Sequence, residues 1–244
     1  MVLPTRKISQ SDVTAIGYGA MGIAAYYGSP LPDEQRLKAE EKREEKDIFL
    51  ATKFGFALGV PNRVVCGDTE YVPKALVKSL DRLESVWICR SLVPPPVSIS
   101  LTARELGVKI VAYSPVGRGL LTGKITSPDD LPENDGRRTP PRFSKENFPK
   151  VLQVVDIITK FASKYDATPA QVSLAWLLAQ GDDIIPIPGT TKNLTENLGA
   201  LNVRLAPQDL EEIRKIAIVA DRTVGPRYHE SGMKLLFVAT PPLE

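Results

Sequence analysis

Apolar and polar residues fall in alternating blocks along the chain. Residues 13–19 (VTAIGYG), 47–55 (DIFLATKFG), 108–115 (VKIVAYSP) and 183–190 (DIIPIPGT) are short, apolar and flanked by turn residues. Such runs read as buried strands. Residues 85–93 (SVWICRSLV) form a weaker fifth candidate. Between the strands, apolar positions recur at helical spacing. Residues 71–83 place Leu76, Leu80 and Leu83 on one face, with Pro73 in the first turn. Residues 101–107 close at Gly107, a left-handed cap. Residues 168–181 open with Thr168 as N-cap and Pro169 behind it, and close at Gly181. A helix over 194–201 follows the last strand, and another over 206–221 pairs Glu211 with Lys215. Strands alternating with helices predict an α/β fold with a parallel sheet.

Two stretches break the pattern. Residues 39–47 (AEEKREEKD) are a charge run, expected to be a solvated face or linker. Residues 126–149 are polar, Pro-rich and too long for an ordinary connection, which predicts a functional or mobile loop.

Composition narrows the class. The chain has 244 residues, 43% hydrophobic and 25% charged, with a net charge of +2. No nucleic-acid footprint is present at that charge, and no apolar run reaches membrane-spanning length. The cysteines are Cys66 and Cys89, too few for a disulfide framework, so a reducing, cytoplasmic setting is expected. The single histidine, His229, nearly excludes a histidine-based metal site.

The stretch TAIGYGAMG contains G-x-G-x-x-G at Gly17, Gly19 and Gly22. A dinucleotide-binding βαβ unit needs a helix opening at these glycines and an acidic residue about 20 positions on, after a second strand. Here Gly28 and Pro30 end any helix early, and the charge run stands where the second strand should be. A tight glycine turn at the end of a first barrel strand fits better.

Five motifs occur in order: IGYGAMG, ATKFG, VAYSPVGRGLLTG, TPAQVSLAW and IPIPGTTKNLTENLGAL. Together they resemble the aldo-keto reductase family, in its bacterial, fungal and plant branch that includes pyridoxal reductase-like enzymes. The resemblance covers residues 1–38, 47–83 and 101–244. It implies a (β/α)₈ TIM barrel, here incomplete, folded as a single domain over 1–244 that lacks segments near 38–47 and 84–100. It also implies NADP(H) bound at the carboxyl face of the barrel, and reduction of small aldehydes and ketones without a metal. The alternative is an NADP(H)-binding remnant with impaired catalysis.

The resemblance assigns roles to particular residues. Lys53 would lower the pKa of a proton-donating tyrosine. Tyr113 would stack on the nicotinamide, and Ala20 and Met21 would wall its pocket. Ser114, Pro115, Val116, Gly117 and Arg118 would line the pyrophosphate. Gly189, Thr190 and Thr191 would hold phosphate near a helix N-terminus, and Lys192 would favour the 2′-phosphate of NADP. Glu196 and Asn197 would meet the adenine, although the span from Thr190 to Asn197 is two residues shorter than the family pattern. Plainer roles remain open beside these: a core tyrosine, a solvated lysine, a simple βα turn. The family's aspartate and tyrosine, in a D-T-A-x-x-Y-like motif, have no counterpart, and neither does its histidine. Tyr26 and Tyr27 lie near the opening turn as candidate stand-ins for the proton donor.

Overall fold

The computed structural model describes residues 3–8, 10–20, 51–52, 87–88, 109–189, 193–223 and 230. The expected helices at 71–83 and 101–107 and the charge run lie outside them. The chain opens with an antiparallel hairpin of β1 (Thr5–Ile8) and β2 (Ser11–Thr14), in register Thr5↔Thr14 to Ile8↔Ser11. Arg6 on β1 donates from Nη2 to the Leu178 carbonyl at 2.9 Å, which ties the hairpin to the rest of the fold. β3 (Ala51–Thr52) pairs in parallel with β4 (Trp87–Ile88). The weak fifth strand candidate is therefore a strand at its centre. β5 (Ile110–Tyr113) and β6 (Ile184–Ile187) pair in parallel, with Ile110 opposite Ile184 and Tyr113 opposite Ile187.

The expected strand over 13–19 divides in two. Its first residues belong to the hairpin. Ala15 and Ile16 then bury, and the next residues run along β6: Gly17 N–H donates to the Pro186 carbonyl and Gly19 N–H to the Pro188 carbonyl, both at 3.0 Å. The partner numbers rise together, so this pairing is also parallel. The Asp183 carbonyl accepts from Ile110 N–H on the opposite edge. β6 thus lies between β5 and residues 17–19. Pro186 and Pro188 have no N–H to return, so this edge carries only half a ladder. What replaces the missing bonds is proximity. A Cβ on Gly19 would lie 2.6 Å from the Ile187 carbonyl oxygen, and one on Gly189 would lie 2.5 Å from the Gly19 oxygen. Gly19 of the opening motif and Gly189 after β6 allow this backbone-to-backbone contact.

Between β5 and β6 run two helices, α1 (Phe148–Lys164) and α2 (Pro169–Leu178); α3 (Leu194–Gly199) and α4 (Pro207–Thr223) follow β6. α1 is an element that the strand-and-helix pattern above does not anticipate. It buries Phe148, Val151, Val155, Ile158 and Phe161, a stripe at three- and four-residue spacing. Its C-terminal half packs against Val172 of α2 and Ile213 of α4. α2 begins as expected with Thr168, whose hydroxyl accepts from Gln171 N–H. Gln171 reciprocates through its Oε1 to Thr168 N–H, a complete capping box. The helix stops at Leu178, short of Gly181. Leu174 sits fully buried beside Ala15, Ile16 and Ala200. Trp176 Nε1 donates to the Leu210 carbonyl at 3.0 Å and fastens α4. On α4, Glu211 pairs with Arg214 at 3.6 Å, not with Lys215, because three-residue spacing brings the longer guanidinium within reach.

Residues 126–149, expected to be a functional or a mobile loop, are packed. The segment folds into short 3₁₀ turns at Pro128–Asp130, Gly136–Arg138 and Pro141–Phe143. Leu131 and Phe143 from it join Leu120, Ile125, Phe148, Val151 and Val155 in one core. Local side-chain bonds from Ser127 and Asp135 cap the first two turns. The Asp130 carboxylate alone accepts from the N–H groups of Thr126 and Ser127 and from the Thr126 hydroxyl, which holds it below the usual carboxylate range.

Candidate cofactor-binding and active site

The candidate site starts where β5 ends. Tyr113 is half-buried, and the chain beyond it leaves strand geometry at once. Ser114 has φ 51°, Val116 φ −111° and ψ 29°, Gly117 φ 61°, Arg118 φ 59° and Gly119 φ 94°. Left-handed backbone costs roughly 1–2 kcal/mol at each non-glycine residue, so Ser114 and Arg118 must be held by their surroundings. Gly117 N–H donates to the Ser114 carbonyl at 2.9 Å, and Gly119 and Leu121 N–H groups both reach the Val116 carbonyl. Three N–H groups of this segment are thus spent on its own carbonyls, which helps to hold its left-handed course.

The turn is clamped from residues 126–149. Arg137 Nη1 donates to the Arg118 carbonyl at 3.1 Å. Arg137 is itself forked by Asp135: Nε to Oδ1 at 3.0 Å and Nη2 to Oδ2 at 2.7 Å, with the Arg137 N–H adding a third bond at 2.8 Å. The Asp135 side chain is 0% exposed. Burial alone would push its carboxyl up, but the Arg137 hydrogen bonds and the charges of Arg137 and Arg138 outweigh it and hold the carboxyl down.

β6 supplies the second half. Ile187 lies opposite Tyr113, and Pro188 and Gly189 follow. α3 then carries Glu196 and Asn197, with Asn197 buried. Glu196 Oε2 accepts from Lys124 Nζ at 3.0 Å, and its backbone carbonyl accepts from Gln171 Nε2 at 3.0 Å. Burial opposes ionisation of Glu196, but hydrogen bonds from Lys124 and Thr168 and the Lys124 charge prevail, so its pKa is lowered. Lys124 therefore links the segment after β5 to the helix after β6, and Gln171 seats that helix on α2.

Of the residues assigned from sequence, the fold brings together Tyr113, Ser114, Pro115, Val116, Gly117 and Arg118 after β5, and places Gly189, Glu196 and Asn197 after the adjoining β6. Ala20 is exposed and follows Gly19 at the seam. Met21, Lys53, Thr190, Thr191 and Lys192 lie outside the described residues, as do Tyr26, Tyr27 and His229. Lys53 directly follows β3. Sequence reading missed Lys124, Asp135 and Arg137; the D-x-R spacing of the last two was the available signal, inside a stretch that looks solvated. Among the described residues, no helix is long and apolar enough to cross a membrane, and no group of three His, Cys, Asp or Glu is placed to hold a metal ion.

Parallel strands with helices returning between them define an α/β chain. A model of the Aldo/keto reductase family matches residues 94–218. The chain is 37% identical to aldo-keto reductase str7 of Strobilurus tenacellus over 341 aligned positions, spanning 100% of this chain and 99% of that one. It is 32% identical to aldo-keto reductase yakc [NADP(+)] of Schizosaccharomyces pombe over 340 positions, with coverage of 100% and 99%. Among solved structures, the glycerol dehydrogenase AKR11B4 of Gluconobacter oxydans superposes with TM-score 0.69 at 17% identity, covering 89% of this chain and 96% of that one. The holo form of aldo-keto reductase AKR11C1 from Bacillus halodurans gives 0.57 at 16% identity, covering 88% and 96%. The chain belongs to the aldo-keto reductase family, and its fold is that family's (β/α)₈ barrel.

Proposed function

We propose that this protein is an NADP(H)-dependent oxidoreductase that reduces small aldehydes or ketones to alcohols. The observation that carries the reading is the left-handed turn at residues 114–119, set at the carboxyl end of β5 and next to the carboxyl end of β6. Barrel chemistry sits at that face. A pyrophosphate lying along this turn would meet Arg118 as a cation. Bound there, the cofactor supplies a hydride. The chain's own residues do the rest. Tyr113 offers a ring at the strand end for the nicotinamide to rest on. By the resemblance, Gly189 and Thr190 would offer backbone donors to the phosphate at the adenosine end, and Lys192 would add the charge that prefers a 2′-phosphate. Glu196 and Asn197 face the adenine. The proton for the carbonyl oxygen would come from Tyr26 or Tyr27, standing in for the absent family tyrosine, with Lys53, one residue beyond β3, lowering its pKa.

A second reading has its own support. The family's catalytic aspartate, tyrosine and histidine have no counterpart in the sequence. The alignments to both fungal relatives run to 340 positions or more against 244 residues here. On that reading two internal blocks are absent, and the protein binds NADP(H) without turning it over. Titration with NADPH followed by an aldehyde-dependent oxidation assay decides between them. Binding with turnover supports the reductase, binding alone supports the remnant, and no binding removes both.

A further inference from the structure

We propose that Arg137, forked by Asp135, is a positioning residue for the dinucleotide: it sets the 114–119 turn in its binding conformation before any ligand arrives. The inference rests on the cofactor reading above and adds to it a device placed 18 or more residues further along the chain, in the packed 126–149 segment. Three observations carry it. First, the Arg118 carbonyl that Arg137 holds belongs to a non-glycine residue in left-handed backbone, the kind of conformation that persists only when its surroundings over-determine it. Second, the guanidinium lies directly on the turn: a Cβ built on Gly119 would sit 3.2 Å from Arg137 Nη1. Third, the pair is costly as a stabiliser. Asp135 is fully buried, and a buried ion pair is commonly replaceable by apolar residues without loss of stability. What apolar residues cannot supply is a directed donor to the Arg118 carbonyl. Asp135 takes two guanidinium nitrogens and the Arg137 N–H, leaving Nη1 aimed at the turn. The Leu131 and Phe143 core anchors the segment that carries both residues. Arg137 thus removes from the binding step the ordering of a strained loop, which raises affinity for the pyrophosphate without touching the 2′-phosphate.

The test uses the full chain and the variants Arg137→Ala and Arg137→Lys. Affinities for NADPH and for NADH are measured by fluorescence titration, and tryptic cleavage after Arg118 is followed by mass spectrometry. The expected result is a loss of roughly tenfold or more in affinity for both nucleotides, the size of a lost charge-assisted hydrogen bond, with the NADPH-to-NADH ratio unchanged. Cleavage after Arg118 accelerates by a similar factor. Arg137→Lys, which keeps the charge and loses the fork, behaves like Arg137→Ala. Unchanged affinities in either folded variant, or unchanged cleavage, overturn the proposal. Failure of both variants to fold assigns the pair to the scaffold alone and also overturns it. Wild-type protein that binds neither nucleotide sinks the cofactor reading and the proposal together; wild-type binding with unaffected variants sinks the proposal alone.

Discussion

Replacing Gly19 by alanine places a methyl group where the chain has no room. The added Cβ would stand 2.6 Å from the Ile187 carbonyl oxygen and 3.6 Å from Gly189 Cα. The obstacle is backbone, so no rotamer change relieves it; the 17–19 segment must lift away from β6. Lifting weakens the Gly19 N–H to Pro188 carbonyl bond at 3.0 Å, on an edge where two prolines have already removed donors. Overpacking costs about 1–3 kcal/mol and a lost hydrogen bond about 1, so Gly19→Ala should destabilise by about 2–4 kcal/mol. In a chain of this size each kcal/mol lowers Tm by roughly 2–4 °C. Gly17→Ala is the internal control. Its Cβ would meet Ile187 Cγ2 at 2.9 Å and Ile185 Cγ2 at 4.0 Å, side-chain methyls that yield by a χ1 change and not by a backbone shift, so its cost should stay at about 1–2 kcal/mol, below that of Gly19→Ala. Gly189→Ala should match Gly19→Ala, since its Cβ would strike the Gly19 oxygen at 2.5 Å. The double variant Gly19→Ala/Gly189→Ala should cost less than the sum, because one opening of the seam accommodates both. Urea denaturation of the four variants provides the measurement. Equal costs for Gly17→Ala and Gly19→Ala, or a Gly19→Ala protein within about 0.5 kcal/mol of wild type, would refute the backbone-contact account of the motif.

Three further outcomes follow from the same geometry. Asp209 accepts hydrogen bonds from Lys164 Nζ and the Tyr165 hydroxyl, which hold its carboxyl below the ordinary range; its stabilising contribution is therefore present above the unfolded-state pKa near about 4 and is lost as pH falls through the folded value. The stability difference between wild type and Asp209→Asn, measured by urea midpoint, should be largest near neutral pH and shrink through that acid window; a difference independent of pH would contradict this. Thr168→Ala removes one side of the capping box and a bond to the Glu196 carboxylate, and Gln171→Ala removes the other side and a bond to the Glu196 carbonyl, so each should cost about 1–2 kcal/mol; a thermal midpoint equal to wild type in either variant would contradict this. Lys53→Met should lower any aldehyde turnover by roughly 10²–10⁴-fold while leaving NADPH affinity unchanged, and equal losses in both would place Lys53 in binding.

How much of this was legible in the sequence depended on whether a signal was local and periodic. β5, β6 and α2 could be read because β-branched runs end at turn residues and because Thr168, Pro169 and Gln171 mark a helix start. The opening glycines were correctly denied a Rossmann role, but the division of 13–19 between a hairpin and a barrel seam could not be read, since both parts share strand patterning. α1 was hidden for two reasons. Its start lacks a side-chain cap, as Asn147 makes no capping bond, and its core run VLQVVDII is as β-branched as a strand. The 126–149 segment carries no period at all: Ser127 and Asp130 set its first turn and Asp135 its second, while the third has no side-chain cap, so its order emerges only in three dimensions. Asp135 and Arg137 read as surface charges until the fold buries the first and aims the second at the Arg118 carbonyl. The cofactor role proposed for the 114–119 turn comes from the resemblance, and the structure adds why the turn is strained and what holds it.

The most direct test of the central claim is the affinity of the purified chain for NADPH, read by fluorescence and by thermal shift in parallel. The account predicts saturable micromolar binding and a rise in Tm, because a ligand at a hundredfold its Kd stabilises the folded state by about 2.7 kcal/mol. A flat titration with no change in Tm at millimolar NADPH would contradict it.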